Sequence, residues 1–209
     1  MVNQRIMPVE NNLDKALTYA QQKGRYNQAM KMGFYFEAMV IDYALMEDRL
    51  KSFLYHAGVL ESRTSYKIDC NKQNKKVLKQ IYCDYSQIDN ANLPKIKNIS
   101  GKRDIIRAII SWASNTTEAP ANNCFKALKN QCESLDIQEM QNVFDEIENW
   151  CDYRNEIVHA LMNKNLISLQ SELEEKAEEG MELANKLDTF VREMKKGNKV
   201  RKTAGLITE

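Results

Sequence analysis

The residue types best suited to chemistry occur close together late in the chain. Arg154 and Asn155 are neighbours, and His159 follows four positions after Asn155. Residues four apart share one face of an α-helix, so Asn155 and His159 are predicted to lie side by side. Arg154 and His159 are about 140° apart around a helix with 3.6 residues per turn. They can border one cleft at a helix end without stacking directly on each other.

These three side chains suit reactions at a phosphate group. Histidine is the side chain most often used as a general acid or base, and His159 is the candidate for that role. The guanidinium of Arg154 is a fixed bidentate donor for phosphate oxygens. Asn155 can orient the histidine or donate a hydrogen bond to the phosphate. The cluster therefore predicts acid–base catalysis beside a bound phosphate.

Two predicted helices must position this cluster. Apolar residues over 137–161 recur at the spacing of one buried helix face, and Arg154 interrupts that stripe. A half-buried guanidinium needs a carboxylate, a phosphate or a backbone partner. Its simplest partner is Glu47, which falls in the apolar stripe of a second predicted helix over residues 26–56. Asp42, about one turn away on a neighbouring face, is the competing choice.

The pattern Arg-Asn-x-x-x-His, late in an all-helical chain, resembles the signature of the HEPN superfamily. The resemblance implies a metal-independent endoribonuclease, a toxin or phage-defence effector, that cuts RNA by attack of the 2′-hydroxyl. It implies His159 as general acid or base, Arg154 as phosphate clamp and Asn155 as orienter. Glu47 completes the expected catalytic set by holding Arg154 in position.

The same resemblance implies partners. A homodimer would bring two motifs to one phosphate and so supply a separate acid and base, and RNA would be the substrate. A protein antitoxin is a further expected partner, whereas no cofactor and no metal are expected. Some HEPN toxins carry a Tyr two residues after the His, where a partner enzyme attaches nucleotides. This chain has Leu161 at that position, which argues against that particular regulation.

Each motif residue also has a purely structural interpretation. Arg154 can be an ion-pair partner in an ordinary helical bundle. His159 can cap a helix C-terminus, where a positive charge suits the helix dipole. The alternatives to catalysis are therefore a non-catalytic HEPN-like module that binds a nucleotide, RNA or a partner protein, and a helical scaffold whose motif is accidental.

Two groups of basic residues are candidate RNA contacts. The first is the set of lysines within residues 72–79. The second, assigned to substrate binding, is formed by Lys102, Arg103 and Arg107 near the start of a predicted helix. Lysine-rich helix flanks are usually only solvated, so a surface role without RNA remains the alternative for both groups.

The composition of the chain narrows its class. Its 209 residues carry a formal net charge of +1, so any nucleic-acid contact must use a local basic patch. Seven Gly and three Pro, beside abundant helix-forming residues, favour a helical protein. The five cysteines show no C-x-x-C pair and suggest reduced thiols in the cytoplasm. No apolar run approaches the roughly 18 residues of a membrane span, so no membrane association is expected.

We predict an all-α fold, specifically an antiparallel helical bundle that is HEPN-like, with additional short helices. Its frame is formed by helices near residues 26–56, 137–161 and 168–194. Asp136 is predicted to cap the second of these, and Ser168 the third. Shorter helices are predicted over residues 71–85, 101–113 and 125–135.

The domain boundaries follow from these elements. Residues 1–25 are expected to form an N-terminal arm and a short helix that ends at Gly24. The HEPN-like domain then spans residues 26–195, with residues 60–135 as an elaboration that matches the family poorly. Residues 196–209 are expected to be a basic, flexible tail.

Overall fold

The computed structural model describes residues 12–117, 120–160 and 170–207. These residues form α-helices and connecting loops, without a β-strand, so the prediction of an all-α protein is confirmed for this part of the chain. A 3₁₀ turn, Lys196–Asn198, precedes the last helix. The α-helices are α1 Asn12–Lys31, α2 Tyr35–His56, α3 Lys72–Ser86, α4 Ile99–Asn115, α5 Asn123–Cys132, α6 Ile137–Ala160, α7 Gln170–Lys195 and α8 Lys199–Thr203.

Helix α2 lies at the centre of the molecule. It packs most extensively against α7 and also contacts α1 and α4. Its core face contains Met39, Met46 and Leu54, each fully buried. Helix α6, which carries the Arg-Asn-x-x-x-His pattern, packs against α7 and α4. Burial of these apolar faces fixes the position of α6 relative to the rest of the core.

The first helical break lies at Gly33, so the prediction that a short helix ends at Gly24 is wrong. Helix α1 runs through Gly24 to Lys31. Gly33 has φ +72, its N–H donates to the Met30 carbonyl, and the Phe34 N–H donates to the Ala29 carbonyl. This is a Schellman ending, which requires the left-handed conformation that glycine adopts most easily. A glycine inside a helix costs only about 1 kcal/mol, which the surrounding helix tolerates at Gly24.

The segment 60–135 supplies one of the core helices, α4. Within it, α4 buries Ile105, Ile106 and Ile109 completely in the same cluster as α2, α6 and α7. Helix α4 contacts α2, α3, α5 and α6. The helix is therefore one of the elements that position α6.

The predicted flexible tail is also corrected by the structure. Residues 196–207 form the 3₁₀ turn, α8 and a final turn, and α8 packs against α5. Arg201 is 2 % exposed and donates to the backbone carbonyls of Tyr55, Leu60 and Glu61 at 2.8, 2.8 and 3.0 Å. Three backbone carbonyls accept hydrogen bonds from the buried guanidinium of Arg201. This basic segment is therefore an ordered part of the fold.

Asp136 caps α6 as predicted, because its Oδ1 accepts a hydrogen bond from the Glu139 N–H at 3.0 Å. The predicted cap at Ser168 lies outside the described residues. None of the described helices has an apolar stretch long enough to cross a membrane.

Candidate active site

The motif lies within the last three turns described for α6. Trp150, fully buried, anchors the start of this stretch because its indole N–H donates to the Lys176 carbonyl on α7 at 2.7 Å. Ile157 is buried further along the same helix. Asn155 and His159 lie on the opposite side and are exposed. The local sequence therefore presents the amide and the imidazole to solvent while its apolar residues hold the helix in place.

Arg154 lies at the edge between the buried and exposed faces. Its guanidinium carbon is 4.7 Å from the centroid of the Tyr43 ring on α2. One terminal nitrogen donates to the Asn155 side-chain oxygen at 3.2 Å, and the buried Nε has no hydrogen-bond partner in the part of the chain that the structure describes. An aromatic face stabilises a cation without neutralising it. The positive charge of Arg154 thus remains available to an anion.

Glu47 does not pair with Arg154, contrary to the prediction. Its carboxylate accepts a hydrogen bond from Lys102 Nζ at 2.8 Å, and the same ammonium donates to the Asn98 carbonyl at 3.1 Å. Lys102, which is on α4, is fully buried where α4 packs against α2. A buried ammonium without a carboxylate partner is strongly destabilising. Glu47, which was predicted to pair with Arg154, is therefore the ion-pair partner of Lys102.

Asp42, the competing partner for Arg154, is also placed elsewhere. It is fully buried, and neither of its carboxylate oxygens has a hydrogen-bond partner among the described residues. It faces Gly180 on α7 and the Trp150 ring. Burial raises the pKa of Asp42 to about 8, so it is a mostly protonated acid at neutral pH.

The three basic residues assigned to substrate binding each form an ion pair with a carboxylate of the protein. Lys102 is fully buried and Arg103 is 8 % exposed. Arg103 donates to Glu148 at 2.9 Å, and Arg107 pairs with Asp145, both on α6. The ion pairs of Arg103 and Arg107 connect α4 to α6, and Arg107 is half-buried rather than fully enclosed. Binding of RNA by these three cations stays a prediction.

The structure thus joins two of the four residues assigned to catalysis. Arg154 and Asn155 are linked by a hydrogen bond, and His159 follows one helical turn after Asn155 on the same exposed face. Among the described residues, none donates to or accepts from the imidazole of His159. The helix is described as far as Ala160, and residues 161–169 lie outside the described part of the chain.

Tyr43 is the site residue that sequence reasoning missed. A tyrosine in the apolar stripe of a helix is typical of the core, whereas Tyr43 is half-buried beneath Arg154. Burial, together with the nearby Glu47 carboxylate, raises the pKa of its hydroxyl. The available signal was its spacing, since Tyr43 is one turn before Glu47 on the helix that was expected to meet Arg154.

The other catalytic groups to consider near the motif are a cysteine nucleophile and a metal ion. Burial raises the pKa of the Cys151 thiol to about 11, so this neighbour of Arg154 is a packed thiol rather than a nucleophile. Across the described residues, no group of three or more His, Cys, Asp or Glu side chains is placed to hold a metal ion.

Comparisons with known proteins identify no relative. A scan against protein-family models, a search of curated proteins and a search of solved structures each found no match to this chain.

Proposed function

We propose that this protein is a metal-independent endoribonuclease of the HEPN type, a toxin or phage-defence effector that acts in the cytoplasm. One observation carries the proposal. Arg154, without a carboxylate partner among the described residues, is hydrogen-bonded to Asn155 one turn from the exposed imidazole of His159. A fixed cation beside an acid–base group is the minimum that phosphodiester cleavage requires.

The reaction assigns one task to each side chain. A histidine removes the proton of the RNA 2′-hydroxyl, whose oxygen then bonds to phosphorus. Arg154 stabilises the charge on the phosphate oxygens, and Asn155 orients the groups by hydrogen bonding. The bond from phosphorus to the 5′-oxygen breaks as that oxygen receives a proton. The products are a 2′,3′-cyclic phosphate and a 5′-hydroxyl. Glu47 acts only through Lys102 and the packing of α4.

A homodimer would supply the second imidazole. One protomer offers one motif histidine, whereas a two-fold axis brings two Arg154 and two His159 side chains to one phosphate. Exposed apolar residues on or next to α2 suit such an interface, since Val40 is 42 % and Phe34 53 % exposed. Val40 is one turn before Tyr43 on α2, and the guanidinium of Arg154 lies over the ring of Tyr43. A protein antitoxin would cover the same apolar surface or the motif itself.

The second candidate is a non-catalytic HEPN-like module that binds a nucleotide, RNA or a partner protein through the same cleft. It is favoured by the buried Nε of Arg154, whose missing hydrogen-bond partner a bound ligand could provide. Such a module would use Arg154 and Asn155 but would not depend on a proton carried by His159.

Controlled expression in a bacterial host distinguishes the two candidates. The ribonuclease is expected to inhibit growth, and His159→Ala is expected to relieve the inhibition at an equal protein level. Asn149→Ala, an exposed change about three turns earlier on α6, is the matched control and should remain inhibitory. Normal growth with folded wild-type protein, together with a raised melting temperature in the presence of a nucleotide, would favour the binding module instead.

A further inference from the structure

A groove of about 1070 Å³ lies between α3, residues 66–68 and residues 92–97, the segment that leads into α4. We call it the lysine groove. Seven of the residues that line it are lysines, and none of those lining residues is acidic. The whole chain has a net charge of only +1, so this part of the surface concentrates positive charge. A cleft lined by one sign of charge attracts a ligand of the opposite sign.

The lysines come from both walls of the groove. On α3, Lys72, Lys76 and Lys79 recur at intervals of four and three residues, which places them on one helix face. Lys95 and Lys97 stand on the facing segment and are exposed. Successive turns of α3 thus present ammonium groups about 5.4 Å apart along the groove. A linear series of cations suits a ligand with a repeating negative charge.

The charges of the lysine groove are not neutralised within the described chain. None of its lysines forms an ion pair with a described carboxylate, and Lys75 donates only to the Ile68 carbonyl, at 3.5 Å. The contrast is Lys102 on α4, which is buried against Glu47. Clustered like charges repel one another, and a bound polyanion would remove that repulsion.

An aromatic side chain at the end of the groove narrows the class of polyanion. Tyr66 is 64 % exposed, and the ammonium of Lys51 lies 3.9 Å from the centroid of its ring. Leu93 and Pro94 form an apolar part of the lining. Cations along a groove with an exposed aromatic ring are the features that bind single-stranded nucleic acids, because phosphates follow the cations and bases stack on the ring.

Helix α2 connects this groove to the motif. Tyr43, Glu47 and Lys51 are spaced four residues apart, so they lie along one face of α2. Arg154 lies over Tyr43 at one end, and Tyr66 lies against Lys51 at the other. The eight residue steps from Tyr43 to Lys51 span about 12 Å of helix. A strand that leaves the groove past Tyr66 therefore reaches Arg154 after a short distance.

We propose that the lysine groove binds the phosphate backbone of single-stranded RNA and guides it past Tyr66 towards Arg154. The choice of RNA rather than DNA rests on the proposed function, whereas binding of a single strand rests on the groove itself. An acidic protein segment is the competing ligand, and the experiment separates the two.

The test measures binding of a fluorescein-labelled oligouridylate of about 16 nucleotides by fluorescence anisotropy. The full-length His159→Ala protein is used in excess EDTA, so that cleavage does not consume the probe. Replacing Lys72, Lys76 and Lys97 by Gln is expected to lower affinity at least about tenfold. The dependence of log affinity on log salt should become shallower by about 2, since each phosphate contact to a single strand contributes about 0.7.

A matched control replaces Lys23, Lys31 and Lys126, three exposed lysines outside the groove, by Gln. It changes the net charge equally and should leave affinity within about twofold of the parent protein. Equal affinity of the groove variant and the control variant would overturn the proposal. Absence of RNA cleavage by well-folded wild-type protein would overturn the proposed function and leave this binding comparison valid.

Two further measurements test the class of ligand. Tyr66→Leu should weaken binding about tenfold through lost stacking, while Tyr66→Phe should retain it. When the two competitors are compared at equal concentrations of negative charge, unlabelled RNA should displace far more of the probe than polyglutamate does. Equal competition by polyglutamate, or full affinity in Tyr66→Leu, would contradict a single-stranded nucleic acid as the ligand.

Discussion

The guanidinium of Arg154 lies over the ring of Tyr43, with 4.7 Å between the guanidinium carbon and the ring centroid. This contact joins the motif helix α6 to the central helix α2. It places the cation without pairing it to an acid, since Glu47 is bound to Lys102 one turn further along α2. A cation held in this way is oriented and remains able to bind a phosphate.

Replacing Tyr43 tests that arrangement. Tyr43→Leu removes the aromatic face and is expected to lower kcat/KM for RNA cleavage about tenfold, the effect of a cation–π contact of about 1.4 kcal/mol. Tyr43→Phe keeps the face and should retain activity within about twofold. The measurement is cleavage of a labelled RNA beside the melting temperature of each variant. Equal losses in the Leu and Phe variants would show that the ring face does not position Arg154.

Gly180 permits the close approach of α7 to α2 and α6. A Cβ at this position would lie 2.8 Å from a carboxylate oxygen of Asp42 and 2.8 Å from the Trp150 ring. Gly180→Ala is therefore expected to lower the free energy of unfolding by about 2 kcal/mol, measured by urea denaturation.

Gly24 provides the matched control for that substitution. It also lies inside a helix, and a Cβ there would meet nothing within 4 Å. Gly24→Ala is expected to stabilise the protein by about 0.5 kcal/mol, because alanine favours the helix and restricts the unfolded chain. A Gly180→Ala variant as stable as Gly24→Ala would refute the close packing at this point.

Asp42 makes stability depend on pH. Burial raises its pKa from 3.8 to about 8, and the hydroxyl of Tyr26 is a titratable group near it. Between about pH 4 and pH 8 the folded protein holds a proton on Asp42 that the unfolded chain releases. The stability contributed by this group is therefore complete below pH 4 and is lost as pH rises through about 8.

The variant Asp42→Asn isolates this effect. The amide does not titrate, so the decline in the free energy of unfolding between about pH 5 and pH 8 should be smaller than in the wild type. Urea denaturation at several pH values provides the measurement. Identical pH dependence in both proteins would mean that Asp42 is ionised in the folded state.

Arg201 anchors the C-terminal turns to the end of α2. Its three hydrogen bonds to backbone carbonyls and its position 3.6 Å from the Tyr55 ring centroid are lost in Arg201→Met. The buried carbonyls are left without that donor, so the free energy of unfolding should fall by about 3 kcal/mol. Lys202→Met, an exposed change in the same helix, should have little effect. Similar unfolding free energies for both variants would argue that the segment is not part of the cooperative core.

Much of the helical architecture follows from sequence periodicity. The predicted helices near residues 71–85, 101–113 and 137–161 correspond to α3, α4 and α6, because each carries an apolar stripe and an Asn or Asp cap. Periodicity indicates which face is buried but not which charged residues meet across it. For this reason the pairing of Glu47 with Lys102 was not predicted.

The C-terminal segment shows a second limit of sequence reasoning. The lysines and arginine in residues 195–202 predict a solvated tail. Nothing in the sequence indicates that backbone carbonyls elsewhere accept hydrogen bonds from Arg201. The position of Tyr43 in an apolar stripe is likewise typical of a core residue and does not indicate that Arg154 lies over its ring. In both cases tertiary packing, rather than local pattern, determines the role of the side chain.

The measurement that tests the central claim most directly is analysis of the ends of RNA cleaved by purified protein in excess EDTA. The proposed mechanism predicts 2′,3′-cyclic phosphate and 5′-hydroxyl ends with the wild type, and no cleavage with His159→Ala. Cleavage that persists in His159→Ala, or no cleavage by well-folded wild-type protein at high concentration, would contradict it.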